Sequence, residues 1–179
     1  MVYVFLTNGF EEIEALAFVD ILRRAEISVK TVSVENNGYA TGSHGIKVTA
    51  DINIDDIDKN DIVAVVLPGG MPGTLNLQKN EKVIEYVNYA NDNNKLLGAI
   101  CAAPMVLGEL NILNGKKATC YPGFEKHLLG ADVTGAKCEC DRNIITAKGA
   151  GATHEFAHRF VTILKDEMIA DDIISAMQY

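Results

Sequence analysis

The chain has 179 residues, 48% of them hydrophobic and 22% charged, which is enough apolar mass for one packed domain and too little length for two catalytic ones. Its 24 acidic and 16 basic side chains give a formal charge of -8, and no basic cluster exceeds a pair such as Arg23-Arg24 or Lys116-Lys117. This excludes a chain disordered throughout and argues against nucleic acid as a partner, because the charge repels phosphate backbones.

Met1 to Leu6 is apolar without a basic leader, and acidic residues arrive by Glu11. A cytoplasmic protein is therefore expected, with neither a signal peptide nor a membrane span. Four cysteines, at 101, 120, 138 and 140, are then expected as reduced thiols rather than a disulfide framework. In chain order, the pattern predicts a strand over 2–7, a helix over 11–25 and a strand over 28–34 closed by Asn36-Asn37-Gly38. Residues 38–50 read as a hairpin or excursion. The near-continuous apolar run 62–67 reads as a strand buried on both faces, ending in Pro68-Gly69-Gly70 and followed by a helix over 81–91. A strand over 95–100 then leads into a helix over 104–110. Further strands are expected at 117–120, 131–133 and 143–147, before helices over 153–165 and 166–177. No repeat or linker interrupts this alternation, so a single α/β domain is predicted, with a doubly wound, mostly parallel sheet flanked by helices.

In such a sheet, functional groups gather beyond the carboxyl ends of the strands, which brings three separate marks together. Cys101 stands at a strand-to-helix junction, in Gly98-Ala99-Ile100-Cys101-Ala102-Ala103-Pro104, where small neighbours permit a sharp elbow. The following helix is expected to stabilise a thiolate and lower the thiol pKa. The competing expectation is an inert buried cysteine. Glu14 has Phe10, Ala17, Phe18 and Ile21 at helical spacing, so burial should favour its protonated acid and suit it to proton exchange. Glu11 and Glu12 better fit plain complements to the helix dipole. Gly69 and Gly70 offer backbone N–H groups to an oxyanion, although a lone glycine pair is more often an ordinary turn. Between Ile13 and Leu22 only Glu14 and Asp20 are polar, which suggests a helix covered on several sides, in part by a second subunit.

Five segments together resemble the ThiJ/PfpI superfamily, a class I glutamine amidotransferase-like group, in its parkinsonism-associated deglycase branch. They are Gly9-Phe10-Glu11-Glu12-Ile13-Glu14, Asp20-Ile21-Leu22-Arg23-Arg24-Ala25, Val66-Leu67-Pro68-Gly69-Gly70, Ala99-Ile100-Cys101-Ala102-Ala103-Pro104 and Lys148-Gly149-Ala150-Gly151. The resemblance implies a flavodoxin-like fold, a homodimer, a nucleophilic and oxidation-prone Cys101 with Glu14 as its acidic partner, and glyoxalase or deglycase activity or oxidative-stress sensing. Two positions depart from the pattern. Tyr121 precedes Pro122 where that branch often has a histidine, which weakens a cysteine–histidine–acid relay, since a phenol is a poor base at neutral pH. Ala102 follows the cysteine where the protease branch has a histidine, which argues against proteolysis.

The remaining candidates are weaker. By resemblance, His44 matches an arginine that reaches a partner subunit's pocket, though a solvated loop histidine is the plainer expectation. Lys148 could supply positive charge near the site. His127, His154 and His158 lack metal-ligand spacing, and Cys138 with Cys140 make two ligands on one strand face, which is not a site. The sequence is thus read as a cysteine-dependent enzyme for methylglyoxal-type dicarbonyls or glycated proteins, with neither cofactor nor metal. Cys101 would be the nucleophile, Glu14 the proton shuttle, Tyr121 an auxiliary donor, and Gly69, Gly70 and Ala102 the oxyanion donors. The alternative is an oxidative-stress sensor or chaperone switched at Cys101.

Overall fold

Strand β1 (Val2–Leu6) is buried at all five positions, as a strand covered on both faces must be. The computed structural model describes residues 1–179. After β1 come α1 (Glu12–Arg24), β2 (Val29–Ser33), a hairpin of β3 (Tyr39–Thr41) and β4 (Lys47–Thr49), β5 (Ile52–Asn53) and β6 (Ala64–Leu67). The chain continues through α2 (Gly73–Lys79), α3 (Glu81–Asp92), β7 (Leu96–Ile100), α4 (Pro104–Glu109), β8 (Lys117–Ala118) and β9 (Asp132–Val133). It ends with β10 (Cys138–Asp141), β11 (Ile144–Ala147), α5 (Thr153–Leu164) and α6 (Glu167–Ala176). Seven strands form the main sheet in the order β10-β11-β7-β6-β1-β2-β5. Every pairing is parallel except β10 with β11. The doubly wound, mostly parallel α/β architecture expected from the alternation is therefore present, and it agrees with the flavodoxin-like fold that the resemblance implies. No helix is long and apolar enough to cross a membrane.

Side-chain alternation along β1 feeds two cores, one on each face of the sheet. Tyr3 and Phe5 join Leu77, Val83, Val87 and Leu107 from α2, α3 and α4. Val2, Val4 and Leu6 join Phe18 and Leu22 of α1 with Phe156 and Phe160 of α5. The three phenylalanines pack with ring centroids 5.0–5.2 Å apart, and Phe18 meets Phe160 edge to face. Beneath them lies Gly98 of β7, where a Cβ would come within 2.6 Å of the Phe160 ring and 2.9 Å of Phe156. Phe18→Ala is expected to cost about 3–5 kcal/mol, the usual price of an aromatic cavity, read as a lower denaturation midpoint at unchanged slope.

Helix α1 packs on the sheet and on α5 of its own chain, and among its large apolar residues only Ile13 is exposed. Other sequence expectations need correction. The runs at 117–120 and 131–133 shrink to two-residue strands, β8 and β9, which pair with each other outside the main sheet. The sequence also missed α2, which begins without a side-chain cap, and β10, whose Cys-Glu-Cys-Asp lacks the apolar signature of an inner strand because it lies at the edge.

Candidate active site

Strands β7, β6 and β1 are consecutive in the sheet, and the segments leaving their carboxyl ends carry Cys101, Gly69-Gly70 and Glu14. The sheet order thus brings together residues far apart in sequence. Glu11 starts α1 in extended conformation, and its carboxylate accepts the Glu14 backbone N–H at 2.7 Å, a side-chain cap that fixes the first turn. The Glu11 N–H donates in turn to the Gly69 carbonyl at 2.9 Å, tying helix to loop. From this turn the Glu14 side chain is buried, and its Oε2 accepts the Gly69 N–H at 2.9 Å. Its other oxygen, Oε1, is buried with no protein partner.

Cys101 adopts φ +64°, a left-handed conformation costly for a residue with a Cβ. The strain is held by flanking bonds: its N–H donates to the Ala147 carbonyl at 2.9 Å, and its carbonyl accepts the Tyr121 N–H at 2.8 Å. This is the geometry of the elbow expected from the sequence. Gly69 makes the meeting possible, since a Cβ there would lie 2.6 Å from Cys101 Cβ, 2.7 Å from Glu14 Oε2 and 2.9 Å from the Ile100 carbonyl. Gly69→Ala is accordingly expected to push the pair apart, with about 1–3 kcal/mol lost to overpacking and the special reactivity of Cys101 removed. Thermal denaturation and the iodoacetamide rate at Cys101 check both effects.

Burial dominates the electrostatics. It raises the Glu14 carboxyl to about 7, assisted by the charge of Glu11 and opposed by the Cys101 thiol and the Gly69 N–H. It also raises the Cys101 thiol to about 12, reinforced by the Glu14 carboxylate and opposed by the Ala102 and Gly70 N–H groups. The sequence expectation of a depressed thiol pKa is therefore overturned. Helix α4 has only six residues and starts beyond Ala102-Ala103, so its dipole does not offset burial beside a carboxylate. The two groups titrate as a pair: a first proton leaves near neutrality, and like-charge repulsion retains the second. Transfer of the thiol proton to Glu14 gives a thiolate at no change in net charge.

The other candidates are placed unevenly. Gly70 and Ala102 present N–H groups towards the sulfur, but the Gly69 N–H is committed to Glu14, so Gly69 is a support for that carboxyl rather than an oxyanion donor. Tyr121 joins the site through its backbone, while its half-exposed ring lies against Gly149 and Phe124. Lys148 turns its ammonium to the Gly135 carbonyl at 3.2 Å. Lys148, Tyr121, Lys137 and the Gly149–Ala152 segment line a cavity of about 470 Å³. His127 and His158 pair with Glu109 and Asp171, and His154 stacks on Tyr179, so these histidines are partnered surface groups.

His44 is not in this chain's Cys101 site. Its Nδ1–H donates to Glu12 Oε2 at 2.8 Å, and its backbone N–H donates to Glu12 Oε1 at 2.8 Å. Burial would raise the Glu12 carboxyl, but these bonds outweigh it and hold the pKa at about 2. The sequence reading missed this role. Glu12 is buried as the anchor of the β3–β4 connection, and a Cβ on Gly42 would fall 2.2 Å from its Oε1. Glu11, Glu12 and His44 bring potential ligand atoms within 4.8 Å of one another, but Glu12 is already satisfied by hydrogen bonds.

Comparison with known proteins gives a consistent family. A model of the DJ-1/PfpI family matches residues 1–163. The chain is 38% identical over 154 residues to DJ-1 homolog B of Arabidopsis thaliana, covering 85% of this chain and 35% of the plant protein. It is 31% identical over 169 residues to a protein named a deglycase from Pyrococcus horikoshii, covering 92% of this chain and 100% of that one. The solved structure of oxidized DJ-1 from Toxoplasma gondii superposes with a TM-score of 0.94 at 30% identity, covering 99% of this chain and 97% of that one. The chain spans less than half the length of the plant relatives it matches.

Proposed function

From the premise that this chain belongs to the DJ-1/PfpI family, we propose that it is a cofactor-independent cysteine enzyme acting on methylglyoxal-type dicarbonyls or their protein adducts. The observation that carries this reading is a buried carboxyl with a pKa of about 7 beside a thiol on a strained elbow. Such a carboxyl is half protonated at neutral pH, so it can both give and take a proton during one turnover. The Cys101 sulfur adds to the aldehyde carbon of methylglyoxal, and the proton lost by the thiol passes through Glu14 to the new oxyanion, forming a hemithioacetal. Gly70 and Ala102 N–H groups stabilise the oxyanion before it is protonated. Glu14 then removes the proton from the former aldehyde carbon and returns it to the neighbouring carbon, while the hydroxyl proton of the former aldehyde oxygen passes to the former ketone oxygen through an enediol, which leaves a lactoyl thioester. Water cleaves that thioester, releasing lactate and restoring the thiol. The name of the Pyrococcus relative supports this class of activity.

The test is to supply purified protein with methylglyoxal and follow D- and L-lactate over time. Steady formation of one enantiomer is expected, and its absence overturns the reading. A second reading, a stress sensor, is favoured by a partly accessible Cys101 and by the oxidized state in which the Toxoplasma relative was solved. There the thiolate consumes two peroxides, gains two oxygens as sulfinate and releases two waters. Association of two copies through α1 and the neighbouring hairpin, where Ile13 and Ile46 are exposed, belongs to the same proposal and is read by light scattering.

A further inference from the structure

A cavity of about 450 Å³ between α5 and α6 has Cys138 and Arg159 in its wall. Cys138 and Cys140 are two apart on β10, so both point to the sheet face on which their cross-strand neighbours Ala147 and Ile145 join the core under α5. Two thiols on one strand face are not a site by themselves. The structure adds Arg159, which stands on α5 above this face. The chain has four arginines, and Arg23, Arg24 and Arg142 each lie within 4.0 Å of an aspartate. Arg159 has no carboxylate partner, although the protein is acidic overall. Burial raises the Cys138 thiol to about 12 and raises Cys140 too, and the one influence opposing it at both is the Arg159 guanidinium. An unneutralised cation therefore faces two protonated thiols.

Successive positions on one face of a strand stand about 6.6–6.8 Å apart, well beyond the roughly 3.5–4.5 Å between Cβ atoms that a disulfide requires. The extended strand keeps these thiols from closing on each other. A sulfur–metal–sulfur bridge spans about 4.5 Å, twice a metal–sulfur bond of roughly 2.3 Å, and side-chain rotation reaches it without bending the strand. Cys140 is free to turn, since its Sγ makes only a 4.0 Å contact with the Arg142 carbonyl. No third protein ligand is at hand, because only Glu11, Glu12 and His44 bring three histidine, cysteine or carboxylate ligand atoms within 4.8 Å of one another. The pair therefore does not suit zinc, which takes four ligands.

We propose that Cys138 and Cys140 bind one soft monovalent ion, copper(I), as a two-sulfur complex whose charge Arg159 neutralises. The ion displaces both thiol protons to solvent, so two neutral thiols and one cation become a complex of charge −1 and two protons. Cys140 is exposed and receives the ion from a donor by ligand exchange, while half-buried Cys138 retains it. This binding is independent of the chemistry at Cys101.

The experiment titrates the reduced full chain, under argon, with copper(I) held by bathocuproine disulfonate, and the chelator's absorbance reads the transfer. The Cys101→Ser protein, which lacks the elbow thiol, is expected to take one ion per chain, with two sulfur ligands in its X-ray absorption spectrum. Added to that background, Cys138→Ser and Cys140→Ser should each weaken binding by more than about 100-fold, because a single thiolate is left. Arg159→Gln should weaken it by about tenfold, the scale on which an outer group supports metal ligands, and Arg159→Lys should restore most of the loss. Circular dichroism checks that every variant is folded, and Cys140→Ser, on the exposed edge, tests the pair without disturbing the core. Unchanged affinity in either cysteine variant overturns the inference, as does a spectrum with three or more ligands or a Cys101→Ser protein that takes no ion. Unchanged affinity in Arg159→Gln overturns the role of Arg159. If wild-type protein makes no lactate while copper(I) binds as described, the dicarbonyl reading fails alone and this site stands.

Discussion

Cys101→Ser is expected to lower kcat for lactate formation by about 10³-fold or more, with the thermal midpoint nearly unchanged. An alcohol is a far weaker nucleophile than a thiol, and its much higher pKa puts the oxyanion out of reach of a carboxyl that titrates near 7. Serine has a Cβ, as cysteine does, so the φ of +64° carries similar strain and the elbow persists. Cys140→Ser, on the exposed edge strand, provides the control and should retain full activity. Steady-state lactate assays on both variants decide the matter. More than about a tenth of wild-type turnover in Cys101→Ser would remove Cys101 from the chemistry.

Glu14→Gln is expected to reduce kcat by about 10²–10⁴-fold, the usual contribution of a positioned acid-base group. The amide oxygen can still accept the Gly69 N–H and the NH₂ can still face the sulfur, so shape and hydrogen bonding survive while proton transfer does not. The same substitution has an opposite effect on stability. The folded-state pKa of about 7 lies above the ordinary 4.5. The stabilising contribution of the neutral acid is therefore complete below pH 4.5 and is lost as pH rises through 7, where ionising a buried carboxyl penalises the folded state by about 3 kcal/mol. Glu14→Gln removes the ionisation, so it should stabilise the protein at pH 8 by up to about that amount and change little at pH 4.5. Urea melts at the two pH values measure the difference. Identical pH slopes for the two proteins would show that Glu14 is not a strained acid, and unchanged turnover would show that it is not the shuttle. A gain in stability with loss of turnover is the trade expected when a fold carries strain for its chemistry.

The inner part of this molecule was legible in the sequence because burial on both faces writes continuous apolar runs, as in β1 and β6, and because one glycine pair and one cysteine end adjacent strands. Glu14 was legible for a related reason: a carboxylate among Phe10, Phe18 and Ile21 contradicts the helical pattern around it. Less legible was any group whose role depends on a distant partner. Glu12 looks like an ordinary first-turn acid until the β3–β4 connection folds onto it from more than 30 positions away. Gly69 looks like an oxyanion donor until its N–H is seen to serve Glu14. The thiol pKa was misjudged because sequence reveals a helix start but not how deeply the thiol is buried or how close a carboxylate lies.

The sheet margins have a consequence for behaviour at high concentration. At one margin, β5 is only two residues long, too short to template a strand from another molecule. At the other, β10 alternates cysteine with Glu139 and Asp141, and the Asp141 side chain caps the Lys117 N–H at 2.8 Å. Charges on an edge strand oppose strand addition from a neighbour that carries the same acidic edge. Both margins therefore resist the edge-to-edge growth that leads to aggregates, and any specific contact between copies is left to the helices and the hairpin rather than to a continued sheet.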